Sequence, residues 1–486
     1  MKNNLPLELA RNTVTLYTGE VFIFILAIVY TFIVPRMLGT EVYATFIFIV
    51  SIMNTVVLFT GLGLSGYLSR FIPQFVTENN FEKLRSTVSR IMKFRLLFSG
   101  LGVFIACLFS LFFLQSFLHL ILIILPTTIV ISFLSLVSSG LYGFKEFAKH
   151  KFLDFLISLF KVLFIPTLFI VYGLSGALFA LFPIYLITVI LGSYWLDPKI
   201  PKIEVQEVNS IKIKEILKFT TPLYIEGAFS RFRIPALIFV IAYFGGITSE
   251  IGYVFIAITL TEMIILLLMI ITKALYPTLV RAFSRNDIKE LTELLNHNIR
   301  YAFMMALFAI PIIFFLGEHI VSLVLGTEYL MVGTLWKIIS FSLIAVAIGA
   351  PYRRLALIYK RTEINQAFGM ILFILTISFT IILVPLAGIV GMSYGYTIAY
   401  SLPLVFTTIV LFRLSRIKIN FLNILKVLVS SIISFSCSYF LFSASNYLAT
   451  AVFTVLYLTL LFLTGVLRKR DVSLIRMLIQ PNKSVR

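Results

Sequence analysis

Phe219 to Phe244 reads FTTPLYIEGAFSRFRIPALIFVIAYF. As a helix this stretch rises about 39 Å, more than the hydrocarbon thickness of a bilayer. Yet Glu226, Arg231 and Arg233 sit inside it. A charge at mid-bilayer depth costs about 3 kcal/mol even on lenient insertion scales, so a chain keeps one where it faces protein, a watery cavity or a ligand. Glu226 and Arg233 are seven residues apart and share a helix face, with Arg231 toward one edge of it, so the arginines either form a structural ion pair with Glu226 or line a solvated cavity that binds an anion. Pro222 and Pro235 bracket the charges and are expected to bend the helix on both sides of them.

The rest of the chain is built from similar stretches. Of 486 residues, 60% are hydrophobic and only 13% charged. The mean hydropathy is +1.04. The apolar runs are continuous rather than alternating, which excludes a β-barrel and gives an all-α polytopic membrane protein. About fourteen spans are expected, at 13–34, 42–66, 96–115, 119–141, 152–172, 175–195, 219–244, 250–274, 300–316, 333–352, 366–386, 389–412, 424–443 and 447–467. The first run is too long for a cleavable signal. Cys107 and Cys437 both fall in apolar runs, and the four histidines lack ligand spacing, so neither a disulfide framework nor a metal site is expected.

Charge in the connections sets orientation. The net charge is +19, dispersed over many short connections rather than gathered into a nucleic-acid-binding patch. Alternate connections are basic: Arg70–Arg95, Lys145–Lys151, Lys199–Lys218, Arg281–Arg300, Arg353–Arg361, Arg413–Lys418 and the C-terminal tail. The intervening ones carry Glu41, Glu250, Glu318 and Glu328, with Arg36 as their sole basic residue. By the positive-inside rule both termini are cytoplasmic, which requires an even number of spans. Asn286–Leu295, NDIKELTELL, has the pattern of an interfacial amphipathic helix.

The chain also resembles itself. Leu16-Tyr17-Thr18-Gly19-Glu20 matches Leu223-Tyr224-Ile225-Glu226-Gly227, and Gly39-Thr40-Glu41-Val42-Tyr43 matches Thr248-Ser249-Glu250-Ile251-Gly252-Tyr253. Pro73 and Pro277 each precede a charged connection, and Gly173-Leu174-Ser175-Gly176 matches Gly388-Ile389-Val390-Gly391. The offsets drift from 207 through 209 to 215, as short insertions would produce. Two parallel six-helix repeats follow, with two added spans: residues 1–200, 201–418 and 419–486. Paired halves with a midplane site are transporter architecture.

Candidate site residues are the ionisable groups inside spans. Arg231, Arg233 and Lys161 are the deep cations, and Glu20, Glu226 and Glu262 the deep acids. Arginine forks suit phosphate, while a retained acid suits coupling to H+ or Na+. Arg70 is a cytoplasmic anchor or lines a cavity mouth. Asp154 lies on the face of Lys161 and is a candidate partner for it. Lys273 and Lys337 lie near span ends and are read as snorkelling.

The stretch FIVPRMLGTEVYATFIFIVSIMNTVVLFTGLGLSGYLSRFIPQF carries a family likeness. Leu38-Gly39 with Tyr43, then Gly63-Leu64 with Arg70-Phe71-Ile72-Pro73, resembles the opening of the polysaccharide flippases. Leu325-Gly326-Thr327-Glu328-Tyr329 resembles that family's turn before span ten. These belong to the multidrug/oligosaccharidyl-lipid/polysaccharide exporter superfamily. The resemblance implies a V-shaped, two-lobed bundle around a cationic cavity. It also implies flipping of a polyprenyl-(pyro)phosphate-linked oligosaccharide across the cell membrane by alternating access. The chain departs from the lipid II subgroup in carrying Glu20, not arginines, deep in span one.

On this reading the protein is not an enzyme, needs no cofactor beyond a coupling ion, and is a monomer. Its partners are its lipid-linked substrate, membrane lipids and glycosyltransferases or a glycan polymerase. Two alternatives stand beside it. A cation-coupled multidrug extruder of the same superfamily would need acids more than arginines. A multispan glycosyltransferase or polymerase would need a sizeable outer loop, and every outer connection is short. The orientation is testable. A cysteine at Glu250 is expected to react with an impermeant thiol reagent in intact cells, and cysteines at Ser210 and Ser415 to stay unlabelled; labelling of either serine position from outside would break the fourteen-span order.

Overall fold

The computed structural model describes residues 5–200, 213–415, 417, 419–442 and 445–467, with side chains from Thr18 onward except at 213, 222, 223, 226, 271, 274, 277 and 442. Among these residues regular structure is helical throughout. The chain forms two compact units, Met1–Phe255 and Ile256–Arg486. The first holds α1 (Leu5–Leu38), α2 (Thr40–Phe59), α3 (Leu64–Thr77), α4 (Phe81–Phe113), α5 (Leu118–Gly143), α6 (Phe147–Phe179), α7 (Leu181–Leu196) and α8 (Ile213–Gly245). Then α9 (Ser249–Ser284) begins in the first unit and continues in the second. The second unit goes on through α10 (Ile288–Val324), α11 (Leu330–Ser340), α12 (Ser342–Ile358), α13 (Thr362–Ser415), α14 (Phe421–Phe442) and α15 (Asn446–Leu463).

Twelve helices are individually long and apolar enough to cross a membrane, and α11–α12, bent by 45°, add a thirteenth as one broken crossing. The 54 residues of α13 are two helices meeting at Ala387–Gly388, which brings the described spans to fourteen. At 1.5 Å per residue α13 would otherwise run about 80 Å, more than twice the hydrocarbon core. Glu318 and His319, which interrupt the apolar run, fall inside a continuous α10. The amphipathic segment expected over 286–295 is not a separate surface helix. Asp287 caps α10, its carboxylate accepting from the Glu290 amide at 2.9 Å, and the helix continues into the apolar segment. No glycine or proline falls between Ile288 and Ile310 to end it.

In the first unit α1 packs against α6, α5 lies among α2, α3, α4 and α7, and α8 packs on α2 and α3. In the second, α12 packs on α13, while α14 and α15 pair with each other and dock on α10. Pro311 explains part of that docking. It has no N–H for the Leu307 carbonyl four residues back, and in hydrocarbon that carbonyl needs another donor. Ser431 Oγ of α14 donates to it at 3.1 Å. Tyr457 of α15 donates to the Met304 carbonyl at 3.0 Å.

The duplication is written into the backbone. Residues with positive φ recur in pairs: Gly39 and Gly246 (75° and 76°), Asn79 and Asn286 (52° and 55°), Lys145 and Lys360 (63° and 57°), Gly173 and Gly388 (61° and 58°). The first two pairs are 207 residues apart and the last two 215, the offsets seen between the matching motifs. One feature lacks a counterpart. Residues 40–77 are split into α2 and α3 by left-handed Leu62 and Gly63, whereas the matching 249–284 is the single helix α9. Thr60-Gly61-Leu62-Gly63 breaks the first; Leu267-Leu268-Met269-Ile270 continues the second.

Gly173 and Gly388 hold ψ of −149° and −153°, a backbone region almost closed to residues with a Cβ, although a Cβ there would meet no neighbour. Gly388→Ala and Gly173→Ala are each expected to cost about 1–3 kcal/mol of stability. Gly66→Ala, at a helical and open position, should cost nothing. Thermal unfolding followed by size-exclusion chromatography checks this.

Candidate functional site

The deep charges of the first unit fall into separate clusters. Lys161 of α6 points toward α7 and α1. Its Nζ lies 5.4 Å from the centre of the Tyr185 ring, hydrogen-bonds that residue, and has Tyr30 as a further electrostatic neighbour. Two phenols and a ring face replace part of the ammonium's lost hydration. Asp154 does not partner Lys161. Its carboxylate lies 3.5 Å from Lys151 and 3.8 Å from His150, because those residues stand three and four positions away on α6 and seven residues is twice that reach. Lys151 also lies 3.9 Å from half-exposed Glu20 of α1, and Ser138 bonds His150 at 2.7 Å. Glu20 is therefore part of a mixed-charge cluster. Four residues before His150, outside the spans, a hydrogen bond from Lys199 at 2.7 Å holds the Glu146 carboxyl below its usual range.

A second cluster sits where α2 breaks. Helix α2 closes in a tight turn, the Gly61 amide donating to the Leu58 carbonyl at 2.8 Å and Thr60 Oγ1 to that of Val57 at 3.3 Å, and side chains from other helices add further donors there. Tyr224 of α8 donates its hydroxyl to the Leu58 carbonyl at 2.7 Å. Arg95 of α4 reaches the Val57 carbonyl at 3.5 Å, placing a positive charge at the negative end of α2. Arg95 is only 2% exposed. It stands one turn before Phe98 on α4, and the sequence places it at the end of a cytoplasmic connection. A signal was present: Arg95, Ser99, Ala106 and Ser110 recur near helical spacing, and all four are buried on one stripe of α4.

Tyr224 also has Arg231 as an electrostatic neighbour. Arg231 is exposed on α8, while Arg233, two residues on, is 6% exposed. The 33-residue α8 carries both prolines inside one helix. The side chain of Glu226 lies outside the described residues, so the pairing of Glu226 with Arg233 does too. Arg70 of α3 is exposed and rests on aromatic faces, its Cζ 5.9 Å from the Phe71 ring centre and 5.5 Å from that of Phe219. The structure thus gathers Arg231, Tyr224 and Arg95 around the α2 break and sets Lys161 in a different cluster.

In the second unit Glu262 of α9 is half-buried. Lys337 does more than snorkel: its Nζ lies 2.7 Å from Glu318, which also accepts from Thr334. That pair lets α10 carry an acid. Arg300, buried, donates to the Tyr301 hydroxyl at 2.9 Å. Arg353 stacks 3.6 Å from the Phe368 ring centre and donates to Asn365 at 3.1 Å. Among the described residues no group of three or more His, Cys, Asp or Glu could hold a metal.

Fourteen apolar spans among the described residues, in duplicated halves and with buried arginines inside them, define a multi-pass membrane protein of the transporter type of fold. Solved structures share it. The lipid II flippase MurJ in an inward closed conformation is similar with a TM-score of 0.70 at 16% identity, over 95% of this chain and 99% of MurJ. An inward-facing multidrug resistance MATE family transporter of the MOP superfamily gives 0.65 at 16% identity, over 81% and 94%. A MOP superfamily transporter from Pyrococcus furiosus, described as having a binding pocket of reverse polarity, gives 0.59 at 16% identity, over 84% and 95%. No curated protein matches the sequence. The family described as "Polysaccharide biosynthesis protein" matches residues 9–283, more than half of the chain, and the chain belongs to that family.

Tyr224→Phe removes the hydroxyl that caps Leu58 and is expected to lower stability by about 1 kcal/mol. Hydrogen exchange should accelerate at residues 56–64 and stay unchanged in α6; unchanged exchange at the break would show that the hydroxyl does not hold it.

Proposed function

We propose that this protein is a flippase that moves a polyprenyl-(pyro)phosphate-linked oligosaccharide from the cytoplasmic to the outer leaflet of the cell membrane. The reading rests on one observation above the others: a polysaccharide-biosynthesis family member keeps Arg233 buried, beside exposed Arg231, within an apolar helix. A phosphate head group cannot cross hydrocarbon unaided. Fixed guanidinium groups replace its lost hydration with charge-assisted hydrogen bonds of about 1.5–3 kcal/mol each. In this reading Arg231 and Arg233 bind the head group, with Lys161 as a further cation, and Arg70 stands at the cavity mouth. Glu20, Glu226 and Glu262 supply coupling to H+ or Na+. The termini are cytoplasmic, the two repeats alternate access by rocking, and the protein works as a monomer beside glycosyltransferases or a polymerase.

Complementation of a flippase-deficient strain tests the cations. Arg231→Ala and Arg233→Ala should each reduce flipping about ten-fold or more, the loss of one charged hydrogen bond. Lysine at either position should recover part of it, since charge survives and the fork does not. Wild-type activity in the double alanine variant would refute substrate binding at α8. So would rescue of Arg233→Glu by Glu226→Arg, which would mark the arginine as a structural partner.

A further inference from the structure

A groove of about 770 Å3 runs between α2, α4 and α8 in the first unit. Val56, Phe98, Leu101, Ile105, Phe109 and Phe239 form much of its wall, and no charged residue lines it. Along α4 it extends from Phe98 to Leu114, about 24 Å of helix, which is most of a hydrocarbon core. Leu101, Ile105 and Phe109 are half-exposed within a membrane-spanning segment, so the groove opens toward lipid.

Its Phe98 end abuts the α2 break. Arg95 precedes Phe98 by one turn, and its Nη1 would lie 3.1 Å from a Cβ on Gly61, next to groove-lining Thr60. The Nε and Nη1 of this buried guanidinium meet no acceptor among the described residues. Buried Ser99, one turn further along the same face of α4, likewise has a hydroxyl without a partner. The hold of the break on Arg95 is a single contact to Val57 at 3.5 Å, at the outer limit of a hydrogen bond.

We propose that this groove binds a lipid with a phosphate head and a long hydrocarbon chain, the chain lying along α4 and the phosphate held by Arg95 and Ser99. An apolar trough of this length selects hydrocarbon. A guanidinium whose N–H groups are buried and unpartnered behind the Phe98 end of the trough selects, once its Val57 contact yields, an anion with forked oxygens such as a lipid phosphate. Because the trough opens to the bilayer, the anion arrives on a lipid rather than from water. The lipid would compete with one backbone carbonyl for the guanidinium. The site is separate from the α8 arginines assigned above to transport. It rests on the proposed function only for the choice of a polyprenyl chain.

The test uses the full chain in nanodiscs with a benzophenone-tagged polyprenyl phosphate, the tag on the chain, and the matching tagged polyprenol. Crosslinks of the phosphate are expected between residues 98 and 114 of α4 and on α8 near Phe239. The polyprenol should be captured about ten-fold less, as for loss of a charged hydrogen bond. Arg95→Gln should reduce capture of the phosphate to that level, and Arg95→Lys should restore part of it. Ile105→Trp, at a half-exposed position that fills the trough without touching the cation, should reduce capture of both probes and so keeps the test decisive if Arg95→Gln does not fold. Equal capture of phosphate and polyprenol would overturn the site, as would undiminished capture by both Arg95→Lys and Ile105→Trp. Full competition by inorganic phosphate would identify a free-anion site and overturn the lipid. Capture as expected, with full complementation by the Arg231 and Arg233 double variant, would retain this groove while removing the transport role of α8.

Discussion

A backbone carbonyl in hydrocarbon must find a donor, and at two departures from regular helix in this chain, the end of α2 and Pro311, side chains of other helices supply one. The end of α2 takes Tyr224 and Arg95 on the carbonyls of Leu58 and Val57. Pro311 releases the Leu307 carbonyl, and Ser431 supplies the missing donor. Side chains far away in sequence thus become part of the helices they cap. The same contacts fix tertiary structure, because a cap works only while its own helix is docked.

Against that background the difference between the halves acquires meaning. The breaks at Gly173 and Gly388 are the same turn made twice, down to the backbone angles. The break at Thr60–Gly63 is made once, since the second copy has leucine, methionine and isoleucine where the first has two glycines. In the first half Arg95 and Tyr224 reach the carbonyls at that break. The polar groups gathered there are a consequence of two glycines as much as of any ligand.

The charged side chains sort by the same logic of compensation. Lys337 and Glu318 answer each other across two helices, and Arg353 spreads its charge over Phe368 and Asn365. Lys161 is met by phenols rather than by Asp154, which lies within one turn of better partners. Arg95 keeps two guanidinium positions without an acceptor among the described residues. Since an uncompensated buried charge is costly, such a residue points outward from the protein's own bookkeeping to something it meets in the membrane.

The sequence by itself determined the number and character of the spans. Continuous apolar runs admit no other element in a bilayer, and motifs repeated at 207 to 215 residues carry the duplication. Gly173 and Gly388 were legible as matched motifs because the turn requires glycine, so the constraint is local. The partners of the charges were not local. Whether a lysine snorkels or pairs depends on which helix lies opposite, as Lys337 and Glu318 illustrate from 19 residues apart. Arg95 looked like the edge of a basic connection because its neighbours Arg90 and Lys93 are basic. Only packing of α4 against the broken α2 turned it inward. Hydrophobicity and glycine act on the chain one segment at a time; compensation of a buried charge is decided between segments, and tertiary structure alone supplies that.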